Sequence, residues 1–405
     1  MTPLVVYSHL RWSFVRQRPQ HLMTRLAAHY DIHFIEQPQE CTGSPRLAVR
    51  HVAPGVTVLT PQMAGAAGFA EPDDGGKPRL PALLAGAARE HGLRDALAWL
   101  TTPLALPLAE SLAPRFVIYD CMDELAAFDG APPGLSELES RLLQRADLVF
   151  TGGPALFEAR RRRHPQVHCL PDAVDAAHFA PSSLDASDPP WAQAEALQRD
   201  LPRPRLGFFG VIDERLDLAL IAAVADARPH WQIVMAGPVL GIEASLLPQR
   251  PNIHWLGLQP YARLPYLMAG WDICLLPYAL NDATRFTSPT KTLEYLAGEK
   301  PVVSTPLPDV VLLYGSVVRL AQGCIDFVAA CEATLAESRR ERSRRVMDML
   351  QTVSMHSWDR TAQTVHELIA EALQRQDAGG GRPALPPPHL HATPARSGGD
   401  AARTR

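Results

Sequence analysis

Short runs of apolar residues alternate along this chain with longer stretches whose apolar positions recur at helical spacing, the pattern of a parallel sheet with crossover helices. In the first half, LVVYS (4–8) and IHFIE (32–36) read as strands, with HLMTRLAAH (21–29) as the helix between them. FVIYD (116–120) and LVFTG (148–152) are further strands, separated by the helical stretch LSELESRLLQRA (135–146). Residues 63–80, rich in Gly, Ala, Asp and Pro, read as an exposed loop. A second series of strands starts at RLGFFG (205–210) and continues through WQIVMAGP (231–238), IHWLG (253–257), DICLLPY (272–278) and PVVST (301–305). Two such series predict an α/β protein of two Rossmann-like, doubly wound lobes. The expected divisions are a first lobe over 1–185, a Pro- and Asp-rich linker over 186–204 and a second lobe over 205–357. A last helix over 358–376 and a Gly/Pro-rich, disordered tail over 377–405 complete the chain.

Composition narrows what such lobes can do. At 405 residues the chain exceeds one ordinary core. Hydrophobic residues at 46% and charged residues at 20% are those of a globular protein, and a net charge of −4 gives no reason to expect nucleic acid as a partner. Six cysteines without a C-x-x-C pair argue against a zinc site or a disulfide framework and fit a reducing, cytoplasmic setting. The opening MTPLVVYSHLRWSF has no basic stretch ahead of its apolar run, so it reads as a first strand and not a signal peptide. No run approaches the roughly 18 apolar residues of a membrane span, so any membrane contact is expected to be peripheral. Of 39 basic residues only Lys77, Lys291 and Lys300 are lysine. Where an arginine-biased chain keeps a lysine, a compact point charge is the feature it supplies.

Two of those lysines fall in SPTKTLEYLAGEKPVVS (288–304), the strongest local signal. Ser288 is a natural N-cap and Pro289 suits a first helical position, so a helix is expected to begin there with its free N–H groups toward a cleft. Thr290 adds a hydroxyl and Lys291 a cation in the same turn, and Glu294 could accept hydrogen bonds from a ribose diol. A capped helix with surface Lys and Glu is the plainer alternative. In GFFGVIDERLD (207–217), Gly210 would let backbone approach a phosphate and Arg215 could neutralise a departing diphosphate; the alternative is a turn with an ion pair among Asp213, Glu214 and Arg215. Asp120 and Asp123 in YDCMDE (119–124) stand at the carboxyl end of a buried strand, where a general base belongs, with loop or cap hydrogen bonding as the alternative. Of the two, Asp123 is the better placed. Arg16, Gln17, Arg18 and Gln20 open the first helix, where they could hold an acidic sugar or a lipid-linked pyrophosphate, or form only a solvated helix start. His9 lies in the same strand-to-helix turn. ARRRRHP (159–165) could touch anionic lipid headgroups or be a solvated face.

These motifs, in this order, resemble a GT-B glycosyltransferase, similar to the large bacterial group-1 family that builds cell-surface polysaccharides. WSFVRQRPQ (12–20) resembles the W-x-F-x-x-Q-R-P-Q of one branch. YDCMDE, RADLVFTGGPAL (145–156), LPDAVDAAHF (170–179), FFGVIDERLD and TKTLEYLAGEKPVVST (290–305) follow in the expected sequence, so the resemblance covers most of residues 4–373. DAVDAAHF resembles a signature that ends the first lobe, with Asp172 and Ala173 where Asn and Gly are usual; SWDRTA (357–362) resembles the start of a helix that crosses back to the first lobe. Both read as scaffold.

The resemblance implies that Glu294 binds the donor ribose, that the residues just before it contact the diphosphate, and that backbone near Gly257 lines the nucleobase. It leaves uracil and guanine equally open. A second Glu, usual eight positions before Glu294 and in contact with the sugar in retaining members, is Phe286 here, which leaves the stereochemical course open. The expected substrates are a UDP- or GDP-linked sugar bound by the second lobe (Gly210, Arg215, Gly257, Ser288, Thr290, Lys291, Glu294) and a glycan or lipid-linked acceptor bound by the first (His9, Arg16, Arg18). No cofactor and no metal is expected, since no Asp/His cluster suggests one. The rival readings are a nucleotide-sugar epimerase on the same fold and an inactive scaffold of a polysaccharide assembly complex. A dinucleotide-dependent oxidoreductase needs a G-x-G-x-x-G after a strand, and the first strand is followed by SHLRWSF.

Overall fold

The structure, a computed structural model, describes residues 1–66, 68–69 and 79–379. Lys77, most of the 63–80 stretch and the tail beyond residue 379 lie outside the described residues.

Among the described residues, fifteen strands form two sheets. The first comprises β1 (Thr2–Ser8), β2 (Tyr30–Glu36), β3 (Gln39–Glu40), β4 (Arg46–Ala53), β5 (Val56–Met63), β6 (Leu97–Leu100), β7 (Phe116–Cys121), β8 (Leu148–Thr151) and β9 (Val167–Cys169). Its order is β3-β5-β2-β1-β6-β7-β8-β9, parallel throughout, with β4 added antiparallel to β5. The second comprises β10 (Arg205–Phe209), β11 (Gln232–Ala236), β12 (Ile253–Gly257), β13 (Ile273–Leu276), β14 (Val302–Ser304) and β15 (Arg319–Leu320), in the order β12-β11-β10-β13-β14-β15, all parallel. Each sheet carries helices on both faces, as parallel sheets require. In β1 the alternation divides between two cores: Val5 and Tyr7 pack on one face, Leu4 and Val6 on the other. Ala98 and Leu100 of β6 join the first of these and Leu97 and Trp99 the second.

Two segments differ from the sequence-based picture. The 186–204 stretch is no free linker: its helix Pro189–Gln198 packs on the second lobe, where the Gln198 carboxamide accepts from Trp271 Nε1 (2.7 Å) and donates to the Leu267 carbonyl (3.1 Å). The β4–β5 hairpin and β6 are additional strands between β2 and β7.

The helix Trp358–Asp377, capped by the Ser357 hydroxyl, places Trp358, Ala362, Val365, Ile369 and Ala372 on one stripe. That stripe fills the first lobe's core beside Leu22, Met23 and Leu26 of the helix Arg18–Leu26, so the last element of the described residues completes the first lobe. No helix among the described residues is long and apolar enough to cross a membrane.

Candidate active site

The carboxyl ends of β10 and β11 open into the cleft between the lobes, where ligands of doubly wound sheets bind. Here two glycines let backbone meet backbone. A β-carbon on Gly237 would lie 1.7 Å from the Gly210 carbonyl oxygen, and Gly210 itself sits at φ +150° with the Lys291 stem against it. Above them is a cavity of about 460 Å³ with walls from both lobes. The second lobe contributes Gly210, Gly237, Leu258, Gln259, Pro260, Tyr261, Thr290, Lys291 and Glu294. The first contributes Trp12 to Gln17, Gln20 and His21, with Trp358 of the last helix beside them.

Tyr261 organises this cavity. His178 stacks on its ring (4.2 Å, 9°) and the Arg16 guanidinium lies 5.5 Å over the ring centroid, a cation–π contact across the cleft. Its hydroxyl is buried without a hydrogen-bond partner, and burial raises its pKa. Glu294 shares the cavity; burial pushes its carboxyl up to about 7, opposed by the nearby Lys291 and reinforced by Asp172. His21, stacked flat on Trp358 (5.1 Å, 3°), is held neutral, pushed down to about 3 by burial and by Arg16, Arg25 and His178 around it.

Gln17, Thr290 and Lys291 also line a smaller chamber of about 80 Å³, so Lys291 stands where the two spaces join. This chamber holds two cations from the second lobe, Lys291 and Arg215, opposite two carboxylates from the first, Asp123 and Asp172. Asp213 grips Arg215 through paired hydrogen bonds (Nε–Oδ1 3.0 Å, Nη2–Oδ2 2.6 Å), and the guanidinium lies 5.4 Å over Phe128 of the first lobe. The expected surface ion pair is therefore a half-buried clamp, without Glu214, that aims the guanidinium. Burial raises the pKa of Asp123, with Arg215 and Lys291 opposing the rise and Asp213 adding to it. In Asp172 the same desolvation, against Arg18 and beside Asp120 and Asp123, brings the carboxyl up to about 7.

Several sequence-based placements need correcting. Asp120 faces no cavity: it is fully buried and accepts hydrogen bonds from Arg18 Nε (3.1 and 3.3 Å). Arg18 is only 3% exposed, its Nε held by Asp120 and its Nη1 by the Leu170 carbonyl (2.8 Å), so it sits in the wall of the smaller chamber and not on a separate acceptor surface. His9, 3.2 Å from Thr101 Oγ1, lines neither space, and burial pushes it down to about 4, which removes its charge. Arg16 faces the larger cavity and not a separate acceptor surface. Gly257 ends β12 at φ +65° and points the next three residues inward in its place. Ser288 caps nothing: Thr292 N–H bonds the Pro289 carbonyl (3.0 Å), the helix runs only from Lys291 to Ala297, and Ser288 lies against Gly153 of the first lobe. In ARRRRHP, Arg160 is buried between Glu124 and Glu139 (2.8 and 2.7 Å) and Arg163 pairs with Glu139 (2.8 Å), so half of that basic run is internal structure. Phe286 packs toward the first lobe's apolar cluster and lines neither chamber.

Tyr261 and Asp172, with Gly237, His21 and His178, were not singled out from sequence as site residues. Tyr261 closed a strand-and-turn stretch read for its backbone, and Asp172 was read as scaffold. The signal for Asp172 was a carboxylate at a position where Asn is usual.

No family model matches the chain. A Bacillus subtilis (strain 168) protein, TuaH, provisionally described as a teichuronic acid biosynthesis glycosyltransferase, is 31% identical over 278 residues, 63% of this chain and 67% of that protein. The chain belongs to this glycosyltransferase family. Solved structures share the architecture of the transferase. Sucrose-phosphate synthase from Thermosynechococcus elongatus superposes with a TM-score of 0.70 at 15% identity, over 94% of this chain and 100% of that one. Anabaena HepE in complex with UDP and glucose superposes at 0.67 with 11% identity, over 92% and 100%. At such identities the likeness is one of fold, and that fold is GT-B.

The raised Glu294 carboxyl makes a prediction about the unliganded transferase. Between pH 4.5, its ordinary value, and about 7, the folded protein holds a proton that the unfolded chain has released, so ionising Glu294 costs stability as pH rises through that window. Glu294→Gln is therefore expected to melt with wild type near pH 4 and above it at pH 8, by on the order of 3 kcal/mol. Scanning calorimetry of both proteins across that range measures it. A wild type that is the more stable at pH 8 means Glu294 has a native partner instead of a vacancy for a ligand.

Proposed function

We propose that this glycosyltransferase takes a sugar from a nucleoside diphosphate donor and passes it to a glycan or lipid-linked acceptor in cell-surface polysaccharide synthesis, at the cytoplasmic face of a membrane. The observation that carries this reading is the pairing of a nucleoside-sized cavity with a small polar chamber, joined at Lys291. The larger space offers an aromatic face at Tyr261, a ribose-binding carboxylate at Glu294 and glycine backbone at Gly210 and Gly237 for close phosphate approach. The junction offers Lys291 and Arg215 for the diphosphate.

Transfer breaks the bond from the sugar's anomeric carbon to the phosphate oxygen while the acceptor oxygen bonds to that carbon. Negative charge then grows on the departing diphosphate. Lys291, and Arg215 aimed by Asp213, stabilise that charge from fixed positions, which is where preorganised groups lower a barrier most. Asp123 faces them from the first lobe, where an acceptor hydroxyl would present its proton.

The fold neighbour HepE, described in complex with UDP and glucose, favours a nucleotide sugar as donor for the cavity of about 460 Å³ here. The pathway follows the relative in teichuronic acid biosynthesis. Isothermal titration with UDP and with GDP tests the donor assignment. One of them is expected to bind with a dissociation constant in the micromolar range, and binding of neither sinks it.

A further inference from the structure

The smaller chamber has an unused hydrogen-bond acceptor. Asp172, just after β9, lines it, and its Oδ1 is buried without a hydrogen-bond partner. Arg18 Nη1 stands 3.6 Å from its Oδ1, too far for a hydrogen bond but near enough to fix the charge in place. Arg18 cannot move closer, because Asp120 and the Leu170 carbonyl already hold its fork. A desolvated carboxylate with free lone pairs is costly unless donors arrive with a ligand. Asp123, with no side-chain hydrogen bond of its own, lines the same space.

The opposite wall makes the match chemical. On the second-lobe side the chamber is bounded by Thr287, Ser288 and Pro289, while Phe286 is turned away into the first lobe's apolar cluster. Among the described residues lining the chamber, none on that side is a carboxylate. The cations Lys291 and Arg215 are committed to the diphosphate, which leaves the two first-lobe carboxylates facing whatever the diphosphate carries.

From this geometry we propose that Asp172, with Asp123, binds the hydroxyl groups of the donor's sugar and selects a neutral hexose over a hexuronate. This rests on the nucleotide-sugar reading above. A neutral hexose brings hydroxyl donors to two idle acceptors. A hexuronate brings a third carboxylate beside Asp123 and Asp172 in a space of about 80 Å³ whose cations are already engaged, Arg18 by Asp120, Arg215 by Asp213 and Lys291 by the diphosphate, so the like charges disfavour one another.

The test compares UDP with UDP-glucose, UDP-galactose, UDP-glucuronate and UDP-galacturonate by competition calorimetry at pH 8; GDP, GDP-mannose and GDP-mannuronate run in parallel. The full chain serves as wild type, with Asp172→Asn and Asp123→Asn as variants. Wild type is expected to bind at least one neutral hexose donor tenfold or more tighter than the matching hexuronate. Asp172→Asn should leave the free diphosphate's affinity within about twofold, weaken the neutral sugar donor about tenfold, and narrow the gap to the hexuronate. Asp123→Asn leaves the Arg18–Asp172 pair intact, so the same pattern from it keeps the result readable if Asp172→Asn folds poorly. Equal weakening of diphosphate and diphospho-sugar by both variants would reduce Asp172 to a partner of Arg18 and overturn the proposal. So would a hexuronate bound as tightly as its neutral counterpart. If neither UDP nor GDP binds wild type, the donor reading itself fails and this one falls with it.

Discussion

Lys291→Ala is expected to weaken nucleoside diphosphate binding and to slow sugar transfer by about 100-fold or more. The reason is location. Its ammonium stands where the nucleoside-sized cavity meets the sugar chamber, lining both. Among the described residues no hydrogen bond or ion pair holds it in the free protein. A preorganised group aimed at developing oxyanion charge contributes about 3 kcal/mol, which is two orders of magnitude in rate. Lys300 provides the contrast within the same stretch of chain. Its ammonium donates to the carbonyls of Ala269 (3.0 Å) and Trp271 (2.9 Å), so Lys300→Ala should lower the melting temperature and leave diphosphate affinity alone. Titration of both variants with the diphosphate that binds wild type decides between them. Loss of less than twofold in Lys291→Ala removes that residue from the site.

Arg18→Ala is expected to cause the largest loss of stability of any single change discussed. Arg18 is 3% exposed and Asp120 is fully buried, and each is the other's charge partner. Removing the guanidinium leaves the Asp120 carboxylate desolvated with nothing to neutralise it, a change that costs about 3–5 kcal/mol. Domains are stable by only about 5–15 kcal/mol in total, so the melting temperature should fall by roughly 10 °C. Arg18→Ala combined with Asp120→Asn should recover part of that loss, since the fully buried charge is gone while Asp172, 3.6 Å from Arg18, still loses its cation. An acceptor-binding Arg18 predicts the reverse: activity lost with stability unchanged. Denaturant unfolding of the single and double variants distinguishes the two.

That contrast marks the boundary of what the sequence could convey. The central strands were legible because a strand covered on both faces is a short, unbroken apolar run, as in LVVYS or FVIYD. The β4–β5 hairpin was not, because RLAVRHVA lies at a sheet edge with Val49, Arg50 and His51 exposed in a row and no alternation to mark a buried face. LAWL is four residues and too short to stand out between helices. In the site, Lys291 and Glu294 were legible because they sit within one turn of each other in a single helical motif. Asp172 and Tyr261 were not, because their meaning depends on which other segments fold against them. The same holds for burial. Asp120 and Asp123 look alike at the end of one strand, and only the arrival of Arg18 from another part of the chain makes the first a structural anion and leaves the second open to the cleft.

The helix Trp358–Asp377 has a consequence for how the molecule comes into being. Its apolar stripe belongs to the core of the lobe that is made first, yet it leaves the ribosome after the second lobe. At synthesis rates of about 5–20 residues per second, the first lobe waits many seconds with the surface destined for Trp358, Val365 and Ile369 uncovered. The second lobe has its whole sheet within residues 205–357 and draws its core from residues 174–353, so it can close before then. The order of birth along the chain and the order of completion are therefore opposite. The last helical turns act as the closing piece of a structure whose other half is already finished.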